Sequence, residues 1–144
     1  MRFDFSPQGM MTIKQLRFRR LWVGVGVLLV TLVTVGSIVS VPQPVKGVMM
    51  HDKILHTVVY ACLMGWFAQI YRHDLTRLIL VVGLVALGVF MEFLQGMVPS
   101  RQFDVLDMVA NTSGVVLAWA LAYTWVGNVL PWVEEVFCRK VMGA

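Results

Sequence analysis

The feature that most constrains this chain is a series of four apolar runs, each about as long as a helix needs to be to cross a bilayer. They extend from about Leu21 to Val41, Ile54 to Tyr71, Leu78 to Gly96 and Val105 to Val126. A spanning helix needs roughly 20 predominantly apolar residues. Lipid offers no partner to backbone N–H and C=O groups, so such runs must satisfy them internally as helices or closed barrels. Helix-breaking or charged segments separate the runs: Pro42-Gln43-Pro44, then a charged hairpin of Arg72, His73, Asp74 and Arg77, then Pro99. Proline disfavours helical geometry in the residue before it, so each such break ends a helix. The expected fold is an all-α integral membrane bundle of four transmembrane helices. A short interfacial helix follows Pro131, with Trp132, Val133, Val136 and Phe137 set against Glu134, Glu135, Arg139 and Lys140.

Composition agrees with lipid as the solvent. Of 144 residues, 58% are hydrophobic and 14% charged, against about 25% charged in a soluble domain. The chain divides into a basic N-terminal segment at 1–20, a membrane domain at 21–127 and an amphipathic tail at 128–144. Lys14, Arg17, Arg19 and Arg20 before the first run also fit a secretory signal. That run exceeds the roughly 7–15 residues of a signal's apolar region, and a retained anchor is expected.

The formal net charge of +4 does not point to nucleic acid, because the basic residues flank apolar runs instead of lining one face. They act as topology signals. The N-terminal segment, the second loop and the tail carry nine of the twelve Lys and Arg residues, whereas the first and third loops carry only Lys46, Lys53 and Arg101. Both termini are therefore expected in the cytoplasm, with loops 42–53 and 97–104 outside. Cys62 and Cys138 have no metal or disulfide spacing. Ala110, Gly114, Ala118 and Ala122 recur every four residues, a stripe along which another helix can approach closely, and Ala61 with Gly65 repeats it briefly.

Apart from the topology charges, one polar group remains at the outer end. Asp52, Lys53, His56 and Tyr60 open the second helix; Glu92 and Gln95 close the third; Arg101 lies in the third loop; Asp104, Asp107 and Asn111 open the fourth. Spacings of three and four place each set on one helix face. Ionisable groups at such depth are costly toward lipid, so the three edges should face one another. Structural roles explain part of the set. Asp104 and Asp52 suit helix N-caps, and Lys53 and Arg101 can neutralise Glu92 and Asp107. Capping does not explain Glu92, which sits near a helix C-terminus where the dipole disfavours an anion. A cation, Lys53 or Arg101, or His56 is expected beside it.

Chemically, His56 and Glu92 form a candidate acid/base pair. Lys53 and Arg101 suit an anionic headgroup, with Asp52, Tyr60, Gln95, Asp104, Asp107 and Asn111 as further binding residues. The carboxylates with His56 can alternatively take a divalent cation. No Gly-rich phosphate loop, G-x-S-x-G or H-E-x-x-H motif occurs, and no metal or cofactor is assigned.

The ordered set Asp52-Lys53-x-x-His56-x-x-x-Tyr60, Glu92-x-x-Gln95 and Arg101-x-x-Asp104-x-x-Asp107-x-x-x-Asn111-x-x-Gly114 resembles the signature of the VanZ-like membrane protein family. Ser40 and Pro42 fit the same pattern, and the resemblance covers roughly residues 37–122. It implies a bacterial cytoplasmic membrane protein of a family with no established biochemical activity. Its namesake is associated with low-level resistance to teicoplanin, a glycopeptide antibiotic acting outside the membrane. Three functions compete. One is binding or modification of an anionic envelope molecule, a lipid headgroup or lipid-linked precursor, with membrane lipids as partners. The second is a non-enzymatic module braced by the polar cluster. The third, an ion pathway, is disfavoured because the cytoplasmic halves of the helices carry little charge besides the polar Gln69.

Overall fold

The computed structural model describes residues 16–38, 49–98 and 103–142. Five α-helices follow in order: α1 (Arg19–Ile38), α2 (Met49–Ile70), α3 (Asp74–Gly96), α4 (Val105–Leu121) and α5 (Val129–Met142), with a 3-10 turn at Trp125–Asn128 before α5. No strand occurs among the described residues. Three helices, α1, α2 and α3, are long and apolar enough to cross a membrane, and a fourth crossing is reached if α4 and the bent segment after it count as one span. Their outward surface is a continuous array of exposed apolar side chains, among them Val27, Leu32, Leu55, Ile79, Val82, Phe90, Val109 and Leu117. In water such a surface would be untenable. It is what a lipid-facing bundle presents.

The closest packing joins α2 to α4, and the small-residue stripe explains it. A Cβ placed on Gly114 would collide with the Thr57 carbonyl and reach within 3.0 Å of the Ala61 backbone nitrogen. Ala110, Ala118 and Ala122 are buried along the same face. Gly65 has open space where its side chain would be, so the close approach belongs to α4 and to Ala61. Around this seam Tyr60, Leu63, Met64, Ala68, Leu84 and Val115 form the core.

The helix ends differ from the sequence expectation in ways with local causes. The fourth run was expected to stay helical to Val126, but α4 ends at Leu121. The Thr124 side chain caps the 3-10 turn by accepting from the Val126 N–H, and a Cβ on Gly127 would strike the Ala122 carbonyl. The chain thus turns through 77° before α5. Arg77 was expected in a charged loop. It lies instead in the first turn of α3 and is buried. Its Nε and Nη2 donate to the carbonyls of Tyr71 (2.9 Å) and Ala68 (2.8 Å), so it closes the C-terminal end of α2, where unpaired carbonyls favour a cation.

Glu134 of α5 is likewise buried, not a solvent-facing residue of an amphipathic surface. It accepts from the Phe18 N–H at 2.8 Å and the Trp22 Nε1–H at 3.3 Å. Gln69, the polar exception in the inner half of α2, accepts the Leu130 N–H at 2.6 Å. These bonds pin α5 against the start of α1 and the end of α2.

Candidate functional site

Four helix ends meet at one pole of the bundle: the C-terminal ends of α1 and α3 and the N-terminal ends of α2 and α4. The described residues of the sequence-predicted set lie here. Arg101 falls outside the described residues, as do Ser40, Pro42 and Lys46.

Lys53 is the central cation. Its Nζ donates to Asp104 Oδ2 at 2.6 Å and to Asp107 Oδ1 at 2.8 Å, spanning from α2 to α4. Asp104 is the N-cap of α4, its other carboxylate oxygen accepting from the Leu106 N–H at 2.8 Å. The Lys53 ammonium, followed by the Leu106 N–H, holds the Asp104 carboxyl below its usual range. Capping thus accounts for Asp104, whereas Asp52 lies within the first turn of α2 rather than capping it.

Glu92 is among the most enclosed side chains, 1% exposed. The expected partners Lys53 and His56 do not supply its hydrogen bond. Its Oε1 accepts the backbone N–H of Asp104 at 2.9 Å. Lys53 is drawn away because two carboxylates of α4 lie within its reach, and the positive N-terminal end of α4 offers Glu92 an oriented donor instead. Gln95, one turn further on, reaches the other way and donates to the Ser37 carbonyl of α1 at 3.1 Å.

His56 sits between two partners. Its Nδ1 lies 3.0 Å from Asn111 Oδ1 on α4, and its Nε2 lies 3.9 Å from Asp52 Oδ1 one turn before it on α2. Ligand atoms of Asp52, His56 and Asp107 all fall within 4.8 Å of one another, a grouping that sequence spacing alone did not single out as a metal site. Asn111 and Tyr60 both press on Gly88 of α3, where a Cβ would lie 3.2 Å from each.

Beside this cluster lies a cavity of about 250 Å³. Leu32, Val33, Gly36 and Ser37 of α1, Asp52, Leu55, His56, Val59 and Tyr60 of α2, and Gln95 of α3 line it. One part of the wall is aliphatic and the other polar. Tyr60 is 4% exposed overall, yet among the described residues its hydroxyl has no hydrogen-bond partner. His56, the acid/base candidate, lines this cavity, whereas Glu92 does not. The α1 wall was not anticipated from sequence, because its residues there are ordinary lipid-facing types. Ser37 was the one polar hint.

A 98-residue stretch is 33% identical to the "Uncharacterized protein C11E3.10" of Schizosaccharomyces pombe (strain 972 / ATCC 24843), covering 66% of this chain and 57% of that protein. The chain therefore spans little more than half the length of that relative. No solved structure matches. The family model described as VanZ/LLP1 matches residues 2–126, which takes in the basic N-terminal segment as well as all four polar helix ends. The chain belongs to the VanZ/LLP1 family.

Proposed function

We propose that this protein binds the anionic head of an amphiphilic envelope molecule, a lipid headgroup or lipid-linked precursor, in the cavity at the outer pole of the bundle. The lining of that cavity carries the reading. Leu32, Val33, Leu55 and Val59 give an aliphatic wall, and Asp52, His56, Tyr60, Ser37 and Gln95 a polar one. Ligand sites of this kind combine apolar contact area with a few polar groups that fix orientation. In this proposal α4 supplies the fourth crossing, both termini are cytoplasmic, and α5, turned away by 77°, lies at the inner surface. A role in resistance to teicoplanin fits the same placement, since that antibiotic acts outside the cytoplasmic membrane. Because His56 faces the cavity and Glu92 is enclosed behind it, the arrangement supports binding more directly than acid/base catalysis by the pair.

One observation favours a second reading, a braced partner-binding module. Lys53 is already engaged by Asp104 and Asp107, so it is not offered to a ligand as a free cation. The two readings separate in a photolabelling experiment in nanodiscs, using an anionic phospholipid with a diazirine beside its headgroup. A bound headgroup concentrates label on peptides containing 32–37 and 52–60. A brace without a ligand gives label spread over the lipid-facing residues of every helix.

A further inference from the structure

The cavity reading leaves a charge problem. Among the described residues, Asp52, Asp104 and Asp107 bring three carboxylates together with one ammonium, that of Lys53. An anionic headgroup entering here would meet a surplus of like charge. We propose that Asp52, His56 and Asp107 bind a divalent transition-metal ion of the manganese or zinc class, which bridges the protein to the anionic headgroup. This inference rests on the cavity reading for the headgroup, but the metal site stands on its own residues.

The donor set and its geometry fit. Two carboxylates and an imidazole suit Mn²⁺ or Zn²⁺ better than the all-oxygen cages of Ca²⁺. Ligand atoms sharing such an ion at about 2.0–2.2 Å lie roughly 3–3.5 Å apart. The present spread, within 4.8 Å, closes to that by small side-chain rotations, and the Asp52 side chain, 38% exposed, has room for them. His56 is also held as a metal-ligating histidine is held. Asn111 Oδ1 lies 3.0 Å from its Nδ1, and its Nε2 lies 3.9 Å from Asp52 Oδ1, so one ring nitrogen is oriented by an amide oxygen and the other is directed at a carboxylate. Lys53 engages Asp107 through Oδ1 alone, and it neutralises one of the three carboxylates. A single divalent ion neutralises the other two.

An independent observation points to a ligand at the same place. Tyr60, 4% exposed as a residue, lines the cavity with Asp52 and His56, and no described residue hydrogen-bonds to its hydroxyl. A headgroup oxygen or a metal-bound water in the cavity would accept its proton.

The test uses the purified full chain in detergent, washed with chelator and titrated with MnCl₂ alone while free Mn²⁺ is read by electron paramagnetic resonance. One site per chain is expected. Asp52→Asn and His56→Gln should weaken it beyond the roughly 10–100-fold loss of an outer-shell change, with Asn111→Ala falling within that range. Among the described residues Asp52 makes no bond to another helix, so its substitution should leave the melting temperature unchanged and keep the test clear of folding. Asp74→Asn at the opposite pole should bind as wild type. Absence of a stoichiometric site, or binding that persists in both Asp52→Asn and His56→Gln, overturns the proposal. A parallel arm adds the diazirine phospholipid with and without Mn²⁺. Headgroup labelling of the cavity without a Mn²⁺ site sinks the metal and leaves the cavity reading standing. A Mn²⁺ site with no headgroup labelling at any Mn²⁺ concentration does the reverse.

Discussion

The Glu92 carboxylate on α3 accepts the backbone N–H of Asp104, the N-cap of α4, at 2.9 Å. A buried acid near one helix C-terminus is thus stabilised by the N-terminus of the next. The Glu92 side chain thereby ties the C-terminal end of α3 to the N-cap of α4. Replacing Glu92 with Ala should leave that N–H unpaired inside the bundle and destabilise the fold by about 1–3 kcal/mol. Glu92→Gln keeps an acceptor and should cost less. Thermal unfolding in detergent reads both, and equal melting temperatures for Glu92→Ala and wild type would contradict this role.

Lys53 ties α2 to α4 through two carboxylates, and its worth is measurable by a double-mutant cycle with Asp107. Both side chains are partly exposed at the pole, 27% and 11%, so the coupling should fall near 1–2 kcal/mol, between surface and buried pairs. Lys53→Met alone should destabilise more than Lys53→Met combined with Asp107→Asn, because the single change leaves carboxylates without their cation. Strict additivity would show that the pair contributes nothing to the bundle.

Two glycines make a matched comparison. A Cβ on Gly114 would enter the Thr57 backbone, whereas one on Gly83 meets nothing within 4 Å. Gly114→Ala should cost about 1–3 kcal/mol or more through forced separation of α2 and α4. Gly83→Ala should be neutral or slightly stabilising, since Gly weakens a helix interior by roughly 0.5–1 kcal/mol relative to Ala. The account of the α2–α4 seam fails if the two behave alike in detergent melting curves.

Orientation rests on the bias of Lys and Arg toward the termini and the second loop. A single cysteine at position 102, with Cys62 and Cys138 replaced by Ser, should react with a membrane-impermeant maleimide from outside intact cells. A cysteine at 139 should react only after permeabilisation. Reversal of that pattern would put the polar pole on the cytoplasmic face.

Much of the site was legible in the sequence because burial of charge in lipid leaves few arrangements. Steps of three and four put Asp52, His56 and Tyr60, Glu92 and Gln95, and Asp107 and Asn111 on faces that had to meet, and those helix ends share one pole. The pairing within the pole was not legible. Lys53 had three carboxylates within the same few ångströms of depth, and only helix rotation decides that Asp104 and Asp107 win over Glu92. Arg77 and Glu134 were read as surface charges because both border apolar runs, where topology signals usually lie. Their burial depends on which carbonyls and N–H groups another helix end leaves unpaired, and periodicity does not carry that information. The α1 wall of the cavity was invisible for a similar reason: Leu32, Val33 and Gly36 have the same composition whether they face lipid or a ligand.

The central claim is that a molecule occupies the cavity, and Gly36 allows the most direct test. It lines the cavity with nothing within 4 Å of where its Cβ would stand, so Gly36→Trp can fill the space without displacing the helices. Native mass spectrometry of the purified full chain should show a discrete lipid-mass adduct on wild type. In Gly36→Trp the occupancy should fall by about tenfold or more, equivalent to about 1.4 kcal/mol or more of lost binding, with an unchanged melting temperature. The same adduct at the same occupancy in both proteins would contradict the account.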